Sequence, residues 1–140
     1  HIGIGFQILN DLKDWQGDDD NKLLKGQDAL ALRPTILLAL AIEAADDRQR
    51  EKLQMTLTGE QPDGARIEIL RDVFQACGVF EKAESLVDKS RDRAEALADD
   101  IQPDELRLLL YFLVDTILAP ETPDVKPHPD VLIPLGIAGA

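Results

Sequence analysis

The chain has 140 residues, 44% of them apolar and 30% charged, and a net charge of −12. That is enough chain for one modest domain with its own core. The acidic balance argues against nucleic acid or an anionic membrane surface as a partner, and admits an anionic small ligand only when divalent cations intervene.

Aromatic residues are scarce at 4%, and Leu, Ala, Asp and Glu dominate, which favours helices. No run of about 18 apolar residues predicts a transmembrane helix, and no basic-then-apolar leader opens the chain. The single cysteine, Cys77, lies in "FQACGVF" and reads as a core residue without thiol chemistry. This fits a reducing, cytoplasmic setting. The first residue is His1, and the apolar pattern starts without a cap. The chain is therefore expected to be a piece of a longer protein.

Ile2, Ile4, Phe6, Ile8, Leu9 and Leu12 predict a helix over 1–16, apolar enough all round to be buried on most sides. Gly17 and the acids after it are expected to end it. Residues 17–33 read as a polar loop with a short helical turn. Pro34 suits the first turn of the apolar helix "PTILLALAIEAA". Asp46 is placed to cap the next helix, which stops at Gly59. Ile67, Leu70, Val73, Phe74 and Cys77 keep helical spacing up to Gly78. About six turns follow, with an inner stripe of Phe80, Ala83, Leu86, Val87, Ser90, Ala94 and Leu97 and a solvated face of mixed charge. Pro103 and Asp104 open the last helix, Tyr111 and Phe112 read as its core residues, and Pro120 ends it. No strand pattern competes. The fold class is all-α, with residues 1–119 a helical bundle or part of one and 120–140 a proline-rich tail.

The stretch "GFQILNDLKDWQGDDD" is where chemistry enters. On a helix, Asn10 and Asp14 share a face, and Asp11 lies about 60° from Asp14. Asp18 would extend that line if the helix continued past Gly17. Oxygen ligands gathered in this way suit Mg2+, which binds through one or two carboxylates, waters and substrate phosphates. Such a cation clamps a diphosphate and stabilises its departure. Acids at a helix C-terminus are otherwise slightly unfavourable with the helix dipole. Trp15, one position past Asp14, points elsewhere and reads as packing or surface.

"GFQILNDLKD" resembles the second aspartate-rich motif of the trans-isoprenyl diphosphate synthases (polyprenyl synthetases), F-Q-x-x-D-D-x-x-D, at Phe6, Gln7, Asp11 and Asp14. "KGQDALALRPTILLALA" is similar to that family's following K-x-x-G-x-D and G-K-x-T segments at Gly26, Asp28 and Thr35. "ACGVFEKAESLVDKSRDRAEALADDI" and "LRLLLYFLVDTIL" look like its last helices, so the likeness covers roughly residues 1–118. Four positions depart from the pattern. Asn10 stands for the motif's first Asp, Leu23 for the lysine of K-x-x-G, and Leu32-Arg33 for the G-K pair.

The resemblance implies the C-terminal part of the isoprenoid synthase helical fold, with the first aspartate-rich motif upstream of this chain. It implies Mg2+-dependent condensation of isopentenyl diphosphate with an allylic diphosphate, carried out by the longer protein and not by this piece alone. It implies metal contacts at Asn10, Asp11 and Asp14, and substrate contacts at Phe6, Gln7, Lys22, Lys25 and Arg33. A homodimer goes with that reading. Two alternatives use the same residues. One is a non-catalytic partner subunit, motivated by Asn10 and the displaced lysine. The other is a class I terpene cyclase-like enzyme, whose N/D-D-x-x-S/T-x-x-x-E motif aligns with Asn10, Asp14 and Asp18.

Overall fold

The structure is a computed structural model that describes residues 1–16, 26–31 and 33–119. Among these residues seven helices follow in order: α1 (Ile2–Gln16), α2 (Gln27–Leu30), α3 (Ile36–Ala44), α4 (Asp47–Thr58), α5 (Asp63–Ala76), α6 (Val79–Asp99) and α7 (Asp104–Leu118). There is no strand among the described residues. The expectations for Gly17, Asp18, Lys22, Leu23, Lys25, Leu32, Pro120 and the tail lie outside the described residues.

Local chemistry sets most of the boundaries. Asp46 and Gln49 form a reciprocal capping box at the start of α4, with Oδ1 of Asp46 2.7 Å from the Gln49 amide and Oε1 of Gln49 2.9 Å from the Asp46 amide. Gly78, at φ +62°, separates α5 from α6 in a left-handed turn that a side chain would resist. At α3 the expectation needs correction. The cap is Thr35, extended at φ −87° and ψ 159°, with Oγ1 accepting the Leu38 amide at 3.3 Å, and Pro34 precedes it. The hydroxyl satisfies a first-turn amide, so the helix starts after Thr35.

α6 is the central strut, with α1, α3, α5 and α7 all packed on it. Phe74, Leu37, Leu70 and Val79 anchor the larger core cluster, and Val114, Leu118 and Ala94 form a smaller one with Ile2, Leu9 and Ile117. Gly5 lies where α1, α6 and α7 meet, and a Cβ there would stand 2.8 Å from Cδ2 of Leu118.

Several faces turn outward against expectation. Ile4 is 60% exposed, Phe6 48%, Leu97 62% and Phe112 60%. The side of α1 that carries Ile4 and Phe6, the end of the α6 stripe and one side of α7 thus have no cover among the described residues. Ala98, and not Leu97, carries the buried stripe onward. Cys77 is half-buried at the core's rim, and Trp15 is buried in it. No helix among the described residues is long and apolar enough to cross a membrane.

Candidate functional site

The C-terminal half of α1, the short α2 and the start of α3 converge. Phe6, Gln7 and Asn10 lie on the exposed face of α1, Asp14 is half-buried, and Asp11 faces inward. Asp11 is 4% exposed. Its Oδ1 accepts from Nε2 of Gln7 at 3.0 Å, and its Oδ2 accepts from the backbone N–H of Ile36 at 3.0 Å. Ile36 is the first residue of α3, so its amide has no partner within its own helix. Asp11 therefore reaches across from α1 and satisfies α3 at its positive end. Gln7 is exposed rather than buried, and its amide is held by the neighbouring carboxylate instead of by the core.

Asp14 makes a similar link a turn further along α1. Its Oδ2 accepts from the backbone N–H of Asp28, in the first turn of α2, at 3.3 Å. Burial pushes the Asp14 carboxyl above its ordinary range. The charges of Asp28 and Asp11 push it the same way, and the Asp28 and Gln27 amides pull it back. Asp28 in turn accepts from Nη1 of Arg33 at 2.8 Å, an exposed ion pair. The backbone N–H of Arg33 donates to the Asp28 carbonyl at 2.9 Å, and that of Thr35 to the Arg33 carbonyl at 2.9 Å, which fixes the approach to α3.

The structure thus places Gln7 and Asp11 in one set of hydrogen bonds and Asp14, Asp28 and Arg33 in a second, the two meeting in the backbone where Thr35 precedes Ile36, and leaves Phe6 and Asn10 open beside them. Lys22 and Lys25 lie outside the described residues. Sequence reasoning missed the roles of Asp28, which joins Asp14 to Arg33, and of Arg71. Nη2 of Arg71 donates to the Trp15 carbonyl at 3.4 Å, and its guanidinium lies 5.9 Å from the Trp15 ring centre. Nothing local in the sequence pairs residues 56 positions apart.

Among the described residues, no group of three or more His, Cys, Asp or Glu side chains is placed to hold a metal ion. Both oxygens of Asp11 already accept hydrogen bonds. Asn10 and Asp14 remain as oxygen donors on one face. This set fits a hard cation only where phosphate oxygens and water complete most of its coordination shell.

No family model matches the chain, and no curated protein matches it. Its structure is similar to that of a decaprenyl diphosphate synthase from Rhodobacter capsulatus, with a TM-score of 0.69 and 24% identity, over 84% of this chain and 35% of that one. The chain thus spans about a third of that synthase's length. The all-helical architecture is that of the isoprenyl diphosphate synthase fold.

Proposed function

We propose that this chain supplies one wall of the cavity in which an isoprenyl diphosphate synthase joins an allylic diphosphate to isopentenyl diphosphate. The observation that carries the reading is the open face of α1. It holds Phe6, Gln7, Asn10 and Asp14 in the order of the synthase motif, on a backbone with the synthase fold. The remainder of the cavity would come from protein beyond this chain, in keeping with the third of the neighbour's length that it spans.

In this reading the allylic C–O bond breaks and its electron pair leaves with diphosphate. The double bond of isopentenyl diphosphate attacks the carbocation, and loss of a proton restores an alkene. Phe6 offers an apolar wall that keeps water from the cation. Gln7, held by Asp11, presents a fixed amide edge. Arg33, with Lys22 and Lys25, neutralises phosphate oxygens, Arg33 through its two-pronged guanidinium. Asn10 and Asp14 would hold Mg2+, with Asp11 supporting the helix face behind them, and the cation would supply the charge that neutralises the departing diphosphate. A homodimer and a cytoplasmic setting belong to the same proposal.

The test is release of diphosphate by the complete protein. Release is expected only when an allylic diphosphate, isopentenyl diphosphate and Mg2+ are all present. Absence of turnover with allylic substrates of every chain length would overturn it. The amide at Asn10 and the engaged oxygens of Asp11 favour a second reading, a non-catalytic subunit that stabilises an active synthase. Purification of the complete protein with such a synthase attached would favour that reading.

A further inference from the structure

We infer that Asp11 is a positioning residue and not a metal ligand. Its carboxylate locks the Gln7 amide and the first amide of α3 into one unit, and so sets the segment that carries Arg33. This rests on the synthase reading for its catalytic consequence, but its structural core does not.

A metal ligand in this chemistry must turn a lone pair toward a diphosphate in the cavity. Asp11 is 4% exposed and accepts at 3.0 Å through each oxygen, from Nε2 of Gln7 and from the Ile36 N–H. One donor is four residues away on its own helix, and the other is 25 residues away on the next long one. A carboxylate between two such donors is a rigid link between α1 and α3, and it complements the positive end of α3. Downstream of that link, the Thr35 amide bonds the Arg33 carbonyl at 2.9 Å and the Arg33 amide bonds the Asp28 carbonyl at 2.9 Å. Releasing Ile36 therefore loosens Arg33, the cation paired with Asp28 beside Asp14. The second Asp of the motif then orients two substrate-facing groups, Gln7 and Arg33, without touching substrate itself.

The experiment uses the complete protein with Asp11→Ala, Asp11→Asn and, as reference, Asp14→Asn. Exchange of the Ile36 amide with solvent deuterium should accelerate about tenfold or more in Asp11→Ala and by less in Asp11→Asn, which keeps one acceptor. In a turnover assay the Mg2+ concentration for half-maximal rate should stay within about twofold of the parent in Asp11→Asn, while the KM for the allylic diphosphate rises. Asp14→Asn should raise the Mg2+ requirement by about tenfold or more, the behaviour of a lost ligand. Unchanged Ile36 exchange in both Asp11 variants would overturn the inference. So would an Asp11→Asn shift in Mg2+ requirement as large as that of Asp14→Asn. If Asp11→Ala does not fold, Asp11→Asn decides. If the protein turns over no diphosphate, the synthase reading fails while the exchange measurement still judges the link.

Discussion

Gly26 lies against the indole of Trp15, with a Cβ position only 3.1 Å from Cη2 of that ring and a left-handed backbone at φ +78°. Its N–H donates to the Asp14 carbonyl at 2.9 Å, near the end of α1. The glycine thus satisfies a C-terminal carbonyl of α1 while letting α2 approach the ring. Gly26→Ala meets both obstacles at once. The left-handed conformation alone costs about 1–2 kcal/mol for a residue with a Cβ, and the ring contact adds to it. Urea unfolding of the chain, followed by fluorescence of Trp15, should show a lowered midpoint with an unchanged slope.

The same indole reports on the core. Trp15 packs against Phe74 with ring centres 5.0 Å apart and against Phe80 at 6.2 Å, and Phe74 meets Phe80 at 6.1 Å. Phe74 is fully buried. Phe74→Ala should cost about 3–5 kcal/mol through lost burial and the cavity left behind. Trp15 emission should move to longer wavelength as water reaches the ring. Phe74→Leu, which fills most of the space, should keep both stability and emission much nearer the parent.

Chemistry that acts over a few residues is legible in the sequence. The Asp46 capping box, the stop at Gly59 and the turn at Gly78 are each written within four positions. The same locality explains the failure at Pro34, where proline and threonine both signal a helix start and the Thr35 hydroxyl prevails because it satisfies an amide. Which side of a helix faces the core is less legible. Leu97 and Ala98 are adjacent, and only tertiary packing decides that the smaller one is buried. Phe6 and Phe112 are apolar, which predicts an inward side chain, yet no described element covers them. The motif locates Asn10, Asp11 and Asp14 but cannot separate their roles. Asp11 finds Ile36 across 25 positions, and Asp14 finds Asp28 across 14. Spacing on one helix says nothing of such partners.

Cys77 offers a test of electrostatics at the rim of the core. Burial pushes its thiol above the ordinary range, and the charge of Asp46 pushes it the same way. The thiol therefore stays protonated through neutral pH, and only the thiolate is the nucleophile. Alkylation by iodoacetamide should begin at higher pH in the folded chain than in the urea-unfolded one. Asp46→Asn keeps the helix cap, because asparagine caps as well as aspartate. It removes the charge, so the alkylation profile should move some of the way back to lower pH, with burial retaining the rest. An unmoved profile would mean that Asp46 does not act on the thiol.

Asn10→Asp bears most directly on whether this face takes a divalent cation. The new carboxylate would stand four residues before Asp14, whose carboxyl is already pushed upward by burial and by the charges of Asp28 and Asp11. Without divalent ions the substitution adds like-charge repulsion along one face of α1 and should cost about 0.3–0.5 kcal/mol. With Mg2+ the sign should reverse, because two carboxylates and a phosphate are a better hard-cation site than one. A ligand that binds only the folded state stabilises it by RT ln(1 + [L]/Kd), so a tenfold gain in affinity adds about 1.4 kcal/mol once the site is well occupied. Thermal unfolding of parent and variant in EDTA, in Mg2+, and in Mg2+ with inorganic diphosphate separates these terms. The variant's Tm should fall below the parent's in EDTA and rise above it with Mg2+ and diphosphate together. A variant that stays below the parent in all three conditions would mean that the Asn10–Asp14 face holds no cation, and the non-catalytic reading would then be the one to pursue.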